Sequence, residues 1–271
     1  MQENDTFVYT EQHKNSNSPI QFYRMAIAGI RIEVECLYRR SAFLCKDFFC
    51  GFDKPDIIIR TSMNEIEKSL SIMRETLKVD DCFRGIISAD YGEIESSIVC
   101  FKTAESLLDF DSILFHAAAV AYNNKAYLFS APSGTGKTTH IRKWLEYLPV
   151  SFVVNGDKPF IKLSSEFPQP LACGSPWAGK ENMYTNTMVP LKSIIFMERA
   201  ANNHIEQIAF TEAFPLILQQ VYRPDDEAKM RKTLHLVQRL NPMVTFWRFR
   251  CNNFKDDCFD VAYNALVKDQ K

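Results

Sequence analysis

The stretch LFSAPSGTGKTTH, residues 128–140, joins an apolar run to a loop that contains glycines, a lysine and threonines. It matches the pattern G-x-x-x-x-G-K-[ST] except at the first position, which is Ala131. In such a loop, glycines let the backbone wrap closely, and amides at a helix N-terminus point at phosphate oxygens. One methyl group at residue 131 is accommodated if its φ stays negative. The stretch therefore predicts a phosphate-binding loop between a strand and a helix.

Seven residues of this loop and of the helix start that follows it are expected to bind a nucleotide. The residues expected to contact it are Ser133, Gly134, Thr135, Gly136, Lys137, Thr138 and Thr139. Lys137 is expected to reach the β and γ oxygens, and the hydroxyl of Thr138 to bind Mg²⁺. A Mg²⁺-nucleotide site usually has a carboxylate at the end of a neighbouring strand. Asp157, in SFVVNGDKPF, is the candidate, and a turn aspartate without a chemical role is the alternative interpretation.

The sequence on both sides of the loop predicts a mixed sheet. FHAAAVAYNNKAYLFSA indicates two strands joined at Asn123 and Asn124, residues that tolerate left-handed turn conformations. The strand that leads into the loop then has an antiparallel neighbour. After the loop, apolar residues recur on one face of a helix. They are Ile141, Trp144, Leu145 and Leu148.

The remaining patterns set the predicted domain division. Residues 106–271 continue with the strands SFVVNGD, LKSIIFMER and VTFWRFRC, and with the helices RPDDEAKMRKTLHLVQRL and KDDCFDVAYNALV. Residues 18–105 indicate a small α+β domain of unknown role, and residues 1–17 are polar and expected to fray. In that domain YRMAIAGIRIEVEC, DIIIRTS, RGIISAD and SSIVCF are predicted strands, and SMNEIEKSLSIMRETL a helix. The fold class is therefore α/β, or α+β over the whole chain.

Composition excludes several kinds of partner. The 271 residues carry a net charge of −1 without a basic block, so no nucleic-acid partner is expected. The chain has no apolar run long enough for a membrane span and no apolar signal-peptide core, so no membrane partner is expected. Eight cysteines without a C-x-x-C pair indicate reduced, mostly buried thiols and no zinc site. These features predict a cytoplasmic protein.

Six stretches together resemble one family. APSGTGKTT looks like the loop of the C-terminal domain of HPr serine kinase/phosphorylase, a P-loop kinase fold related to phosphoenolpyruvate carboxykinase. FHAAAV is similar to the histidine-containing strand before that loop, and VNGDKP lies where the family carries an acidic pair. GSPWAGK, with VPLKSIIFMERAANN and QQVYRPDD further along, resembles a shorter branch that includes lasso-peptide precursor kinases. The resemblance is good over residues 112–225, weaker to 265, and absent before 105.

The resemblance implies a mixed-sheet kinase domain, preceded here by the small α+β domain, that uses ATP and Mg²⁺. It implies phosphorylation of a serine in a peptide or small protein, with Asp157, His116 and Lys137 as catalytic residues. Thr138 and Asp157 would bind the metal, and assembly into a homo-oligomer would follow the family. Lys158, Lys180 and Arg223 are candidates for neutralising γ-phosphate charge, and Trp177 for lining the acceptor or adenine site.

The sequence departs from the pattern of the resembled family at residue 156, and this departure leaves the general base and the exact activity open. The first acid of the family's pair is Gly156 here, which leaves the general-base assignment open between Asp157 and His116. A small-molecule hydroxyl kinase and a nucleotide-binding pseudokinase or regulatory module are the alternatives. The absence of an N-K-x-D motif disfavours a GTPase-like switch, but the choice between ATP and GTP is open.

Overall fold

A computed structural model of the protein describes residues 21–78, 90–132, 134–163, 166–252, 255 and 257–268. The chain divides into two compact units, Met1–Thr103 (unit 1) and Ala104–Lys271 (unit 2). Residues 1–17, which the sequence predicts to fray, lie outside the described residues. The division of the chain into domains at residues 17 and 105 stays a prediction.

Both units contain strands and helices. The strands of the described residues are β1 (Gln21–Ile27), β2 (Ile30–Cys36), β3 (Ile57–Arg60), β4 (Ser112–Leu114), β5 (Ala118–Tyr122), β6 (Lys125–Ser130), β7 (Phe152–Asn155), β8 (Phe160–Lys162), β9 (Leu171–Cys173), β10 (Met188–Arg199), β11 (His204–Ile208) and β12 (Thr245–Cys251). The helices are α1 (Arg39–Leu44), α2 (Met63–Lys78), α3 (Tyr91–Leu107), α4 (Lys137–Tyr147), α5 (Phe210–Gln220), α6 (Glu227–Arg239) and α7 (Cys258–Tyr263), which a π-helical turn continues.

Unit 1 contains a three-stranded sheet in the order β1-β2-β3. β1 and β2 form an antiparallel hairpin, and β3 pairs with β2 in parallel. Ala28 and Gly29 make the turn with φ of 53° and 75°. Alternate side chains of β1 and β2 are buried, as the period-2 pattern of YRMAIAGIRIEVEC requires. The predicted strand at DIIIRTS is confirmed as β3.

The prediction of a strand at SSIVCF is wrong, because these residues lie within α3. Burial along α3 recurs every three to four residues, which is a helical period. Asp90 begins the helix, since its carboxylate accepts a hydrogen bond from the backbone N–H of Gly92. β-Branched Ile98 and Val99 favoured a strand locally, but the buried face of the helix decided the structure. RGIISAD, the other predicted strand, lies outside the described residues except for its last residue.

Unit 2 is built on a mixed sheet of nine strands among the described residues. The main order is β4-β8-β9-β10-β6-β5-β7, and β12 lies between β10 and β11. β6 pairs antiparallel with β5 and parallel with β10. Asn123 and Asn124 form the β5–β6 turn with φ of 48° and 56°. The predicted fold class, α/β with a mixed sheet beside a smaller α+β part, is confirmed.

The sheet of unit 2 is covered on both faces. Leu128 of β6 packs into a core with Ile217 of α5 and Leu236 of α6. The next residue, Phe129, points to the opposite face, where Trp144 of α4 and Phe259 of α7 lie. In the predicted stripe of α4, Leu145 is half-buried and the other members are buried. β6 is therefore fixed by both cores and α4 by the second of them, so the loop between them is held at both ends.

Two further observations concern the cysteines and the membrane. None of the seven described cysteines forms a disulfide bond, and Cys82 lies outside the described residues. No helix in the described part of the chain has the length and apolar content needed to cross a bilayer.

Candidate active site

The loop after β6 has the strand–loop–helix arrangement that the sequence predicts. β6 ends at Ser130 and α4 begins at Lys137. Gly134 and Gly136 have φ of 76° and 109°, in the left-handed region that favours glycine. Ala131 is buried and is not among the residues with positive φ, as its methyl group requires. Ser133, a predicted nucleotide contact, lies outside the described residues.

Lys137 directs its ammonium group back toward the end of β6. Its Nζ donates a hydrogen bond to the carbonyl of Ala131 at 2.9 Å and lies 3.1 Å from His116 Nε2. Burial lowers the pKa of this ammonium group. The negative charge of Asp157 raises the pKa and the positive charge of Lys158 lowers it, and the net result is a lowered pKa. The lysine is therefore a partly desolvated cation at the N-terminus of α4.

His116 lies just before β5 and is fixed on several sides. The backbone N–H of His116 donates to the carbonyl of Gln220 at 2.8 Å. The backbone carbonyl of His116 accepts a hydrogen bond from the hydroxyl of Ser130 at 2.9 Å. Its ring contacts the side-chain oxygen of Gln220 through Nδ1 at 3.0 Å. The opposite ring atom, Nε2, lies 3.2 Å from Oδ1 of Asp157. The imidazole therefore reaches both the loop lysine and the carboxylate.

Asp157 follows β7, and its carboxylate is held between two donors. Oδ1 contacts His116, and Oδ2 accepts from Lys158 Nζ at 2.6 Å. Burial alone would raise the pKa of this carboxyl, but hydrogen bonds from His116 and Lys158 outweigh it and hold the pKa well below its ordinary value. Asp157 is therefore ionised at neutral pH.

Asn155 shapes the backbone that presents Asp157. Its side-chain oxygen accepts from the backbone N–H of Asp157 at 2.8 Å and of Lys158 at 2.6 Å. Its amide nitrogen donates to the carbonyl and hydroxyl oxygens of Ser175 at 2.8 and 3.0 Å. Because Asn155 is buried, these bonds fix the turn from the inside. No local sequence pattern indicates Ser175, 20 positions further along the chain, as the partner of Asn155.

The backbone around Gly156 leaves little room for a side chain. A Cβ atom at this position would lie 2.9 Å from the carbonyl oxygen of Ala178 and 3.3 Å from that of Met183. Both neighbours are backbone atoms, which cannot turn aside as a side chain can. The structure therefore has room for a glycine at this position and not for a second acidic residue.

The other predicted site residues are distributed around this cluster. Thr138 is half-buried and Thr139 exposed, both in the first turn of α4, and Thr135 is half-buried in the loop. Lys180 is exposed. Arg223 comes directly after Tyr222, whose N–H donates to the carbonyl of Leu114 at 2.9 Å. Since Gln220 pairs with His116 and Tyr222 with Leu114, the backbone at this point is moving away from His116. The structure thus brings together Lys137, His116, Asp157 and Lys158.

Two residues at the site were not predicted. Gln220 contacts His116 across 104 positions of sequence, and no local pattern indicates such a contact. Arg199, the last residue of β10, donates from its guanidinium to the carbonyl of Gly134. Because β10 lies parallel to β6, a polar residue at its carboxyl end is expected near the loop. That rule is the signal by which Arg199 could have been found.

Comparison with known proteins adds one weak likeness. No family model matches the sequence, and no curated protein matches it. Among solved structures, the HPr(Ser) kinase/phosphatase from Coxiella burnetii is similar to part of the chain. The match has 12% sequence identity and a TM-score of 0.28, and covers 47% of this chain and 90% of that one. That protein carries the name of the family that the sequence motifs resemble, but a likeness at this TM-score supports no inference about activity.

Proposed function

We propose that the protein is an ATP-dependent kinase that transfers the γ-phosphoryl group to a hydroxyl group, that of a serine in a peptide or small protein. One observation carries this proposal. Lys137 Nζ and Oδ1 of Asp157 lie 3.1 and 3.2 Å from the same atom, His116 Nε2, at the N-terminus of α4. A cation, a proton acceptor and a carboxylate thus meet where a helix N-terminus favours phosphate.

The residues of the site fit a nucleotide with its magnesium ion. Glycines with positive φ at 134 and 136 leave the loop backbone without side chains at these two positions, where phosphate oxygens could approach it closely. Asp157 is ionised and supplies the hard oxygen ligand that Mg²⁺ prefers. Thr138 and Asp157 would hold this ion, which when bound neutralises charge on the phosphate oxygens. One of the two side chains now in contact with Asp157, His116 or Lys158, must then give up its contact.

The other side chains of the site would bind phosphate, neutralise its charge and accept the proton of the acceptor hydroxyl. Lys137 binds the β and γ phosphate oxygens, and Lys158 adds positive charge beside the transferred group. His116 accepts the proton of the acceptor hydroxyl at Nε2, and Asp157 orients the ring. The acceptor oxygen then forms a bond to the γ-phosphorus as the bond to the β–γ bridging oxygen breaks, which leaves ADP. Such a transfer needs charge neutralisation more than a strong base, so a single carboxylate is sufficient.

The test is transfer of labelled γ-phosphate from ATP, with GTP as competitor, to a library of serine-containing peptides. Lys137→Ala should reduce transfer by at least about a hundredfold, because it removes the only side-chain cation that the loop itself provides. Lys125→Ala is the matched control, since Lys125 is exposed at the opposite end of β6. It should leave transfer unchanged. Equal rates for the two variants would reject the proposal.

Two other outcomes of this assay identify the alternatives. Transfer to small hydroxyl compounds and to no peptide would establish a small-molecule kinase. Tight ATP binding by calorimetry without any transfer would establish a nucleotide-binding regulatory module. The contact of Lys158 with Asp157 favours that second candidate, because it occupies one oxygen of the single carboxylate. A homo-oligomer and a cytoplasmic location stay predictions.

A further inference from the structure

Arg199 brings a guanidinium group to the loop after β6 from a neighbouring strand. β10 lies parallel to β6, and Phe196 of β10 pairs with Ser130, the last residue of β6. Arg199 ends β10 three positions after Phe196, so it lies beyond the end of β6, at the edge of the sheet from which the loop leaves. There its Nη2 donates to the carbonyl of Gly134. A cation from outside the loop is thus in contact with the loop backbone.

Most of the guanidinium of Arg199 is available to a ligand. A guanidinium carries several N–H donors in a planar fork. Among the residues that the structure describes, the carbonyl of Gly134 is the only hydrogen-bond partner of this side chain. Arg199 is also exposed to solvent. Donors on the same guanidinium can therefore bind a ligand while Nη2 keeps its contact with the loop.

The positive charge of Arg199 is not paired with a carboxylate in the described part of the chain. Glu198 is adjacent in sequence, but successive side chains of a strand point to opposite faces of the sheet. Arg199 therefore points to the face where Met197 packs in one core with Trp144 of α4. On the other face, Glu198 contacts Arg248 at 3.4 Å and Arg250 at 3.8 Å. The neighbouring acid is thus engaged by other arginines.

The charges around the loop favour a polyanion as the ligand. Lys137 is a partly buried cation at the N-terminus of α4, and this end of the helix is itself positive. Arg199 adds a second cation at the same loop. Asp157 is already in contact with His116 and Lys158. A ligand with several negative charges would relieve the repulsion between these positive groups.

We propose that Arg199 is a second phosphate-binding cation of this site, which donates to oxygens of the polyphosphate chain while its Nη2 holds the carbonyl of Gly134. The identity of the ligand rests on the proposed kinase function, whereas the affinity for polyphosphate does not. An arginine suits this role because its planar fork can make two parallel hydrogen bonds to one phosphate group.

The test is the dissociation constant of the full chain for Mg-ATP and for pyrophosphate, which has no base or ribose, by isothermal titration calorimetry. Arg199→Ala should weaken the binding of both ligands by at least about tenfold, the usual effect of a lost hydrogen bond to a charged group. Arg231→Ala is the control, because Arg231 is exposed on α6 and pairs with Glu227. It should bind both ligands as wild type does. An Arg199→Ala protein within about twofold of wild type would overturn the proposal.

Two conservative variants separate phosphate binding from support of the loop. Arg199→Lys keeps the charge, whereas Arg199→Gln keeps a neutral donor for the carbonyl of Gly134. Arg199→Lys should bind pyrophosphate several-fold more tightly than Arg199→Gln does. If Arg199→Gln binds it as tightly as Arg199→Lys or more tightly, Arg199 acts only on the loop backbone, and the proposal is wrong. These two variants also decide the question if Arg199→Ala does not fold.

The same measurements distinguish a failure of this inference from a failure of the proposed function. If wild-type protein binds Mg-ATP but transfers no phosphoryl group, the kinase function fails, and the affinities of the variants still support or overturn the role of Arg199. If wild-type protein transfers phosphate and the Arg199 variants bind as wild type does, only the role of Arg199 fails. Wild-type protein that binds neither ligand would overturn both.

Discussion

Gly156 lies between the last residue of β7 and Asp157, and its α-carbon faces the carbonyl oxygens of Ala178 and Met183. The same segment comes close to Asp157 as well, because a Cβ atom on Gly179, whose φ is 73°, would lie 3.0 Å from Cβ of Asp157. The backbone around the carboxylate is thus packed against residues 178–183. An acidic side chain introduced at residue 156 would force this segment to move.

We predict that Gly156→Ala and Gly156→Asp lower the free energy of unfolding by about 1–3 kcal/mol, the usual cost of overpacking. Urea denaturation measures the change. Gly51→Ala is the control, because a Cβ atom there would have no atom within 4 Å and its φ lies outside the left-handed region. The control should stay within about 0.5 kcal/mol of wild type. A Gly156→Asp protein as stable as wild type would contradict the packing described above.

At the scale of elements, α6 is joined to the start of β4 by the carboxylate of Asp111. Oδ1 contacts Lys232 Nζ at 2.5 Å, and Oδ2 contacts Arg239 at 2.8 Å. Arg239 also donates to the carbonyl of Leu163, the residue after β8. Burial alone would raise the pKa of Asp111, but the hydrogen bonds from both cations outweigh it and lower the pKa. Asp111 and Arg239 together therefore tie α6 to the start of β4 and to the end of β8.

We predict that Asp111→Asn destabilises the protein by about 1–2 kcal/mol at pH 7, because it removes charge-assisted hydrogen bonds at a partly buried site. Asparagine tolerates the φ of 52° at this position, so backbone strain is not added. The folded pKa lies below the unfolded one. The contribution is therefore full above about pH 4 and is lost as the pH falls through the folded pKa.

Denaturation curves at several pH values measure this dependence, with Asp109→Asn as the control. Asp109 is exposed on the same turn and should give a small difference at every pH. For Asp111→Asn, the difference from wild type should shrink as the pH falls below about 4. A difference that stays constant down to pH 2 would show that the two ion pairs do not cause it.

The elements also show what the sequence could and could not predict. The β5–β6 hairpin, the loop and α4 follow from residues close in sequence: two asparagines, two glycines and an apolar stripe. α5 was not predicted, and it contains Pro215, a residue that usually ends a helix. Residues 96–101 of α3 were predicted as a strand because Ile98 and Val99 favour one locally. Gln220 depends on packing across 104 positions, which no local pattern records.

At the scale of the whole molecule, the site described above is formed within unit 2. β6 and α4 carry Lys137, β7 leads to Asp157, and α5 ends at the residue that holds His116. These elements belong to one sheet and the helices packed on it, so they form a rigid frame on which a ligand meets preset groups. Binding of a nucleotide should then raise the stability of this frame and leave unit 1 unaffected.

We predict that Mg-ATP, at a concentration of 100 times Kd, stabilises unit 2 by about 2.7 kcal/mol. Hydrogen exchange followed by mass spectrometry of the full chain should show slower exchange at residues 131–141, where loop amides would bind phosphate oxygens, and at 155–158. Exchange in β1, β2 and α2 of unit 1 should stay unchanged. The same measurement on Lys137→Ala should show no effect of the nucleotide. Protection that falls in unit 1, or that persists in Lys137→Ala, would place nucleotide binding elsewhere and remove the basis of the proposed kinase.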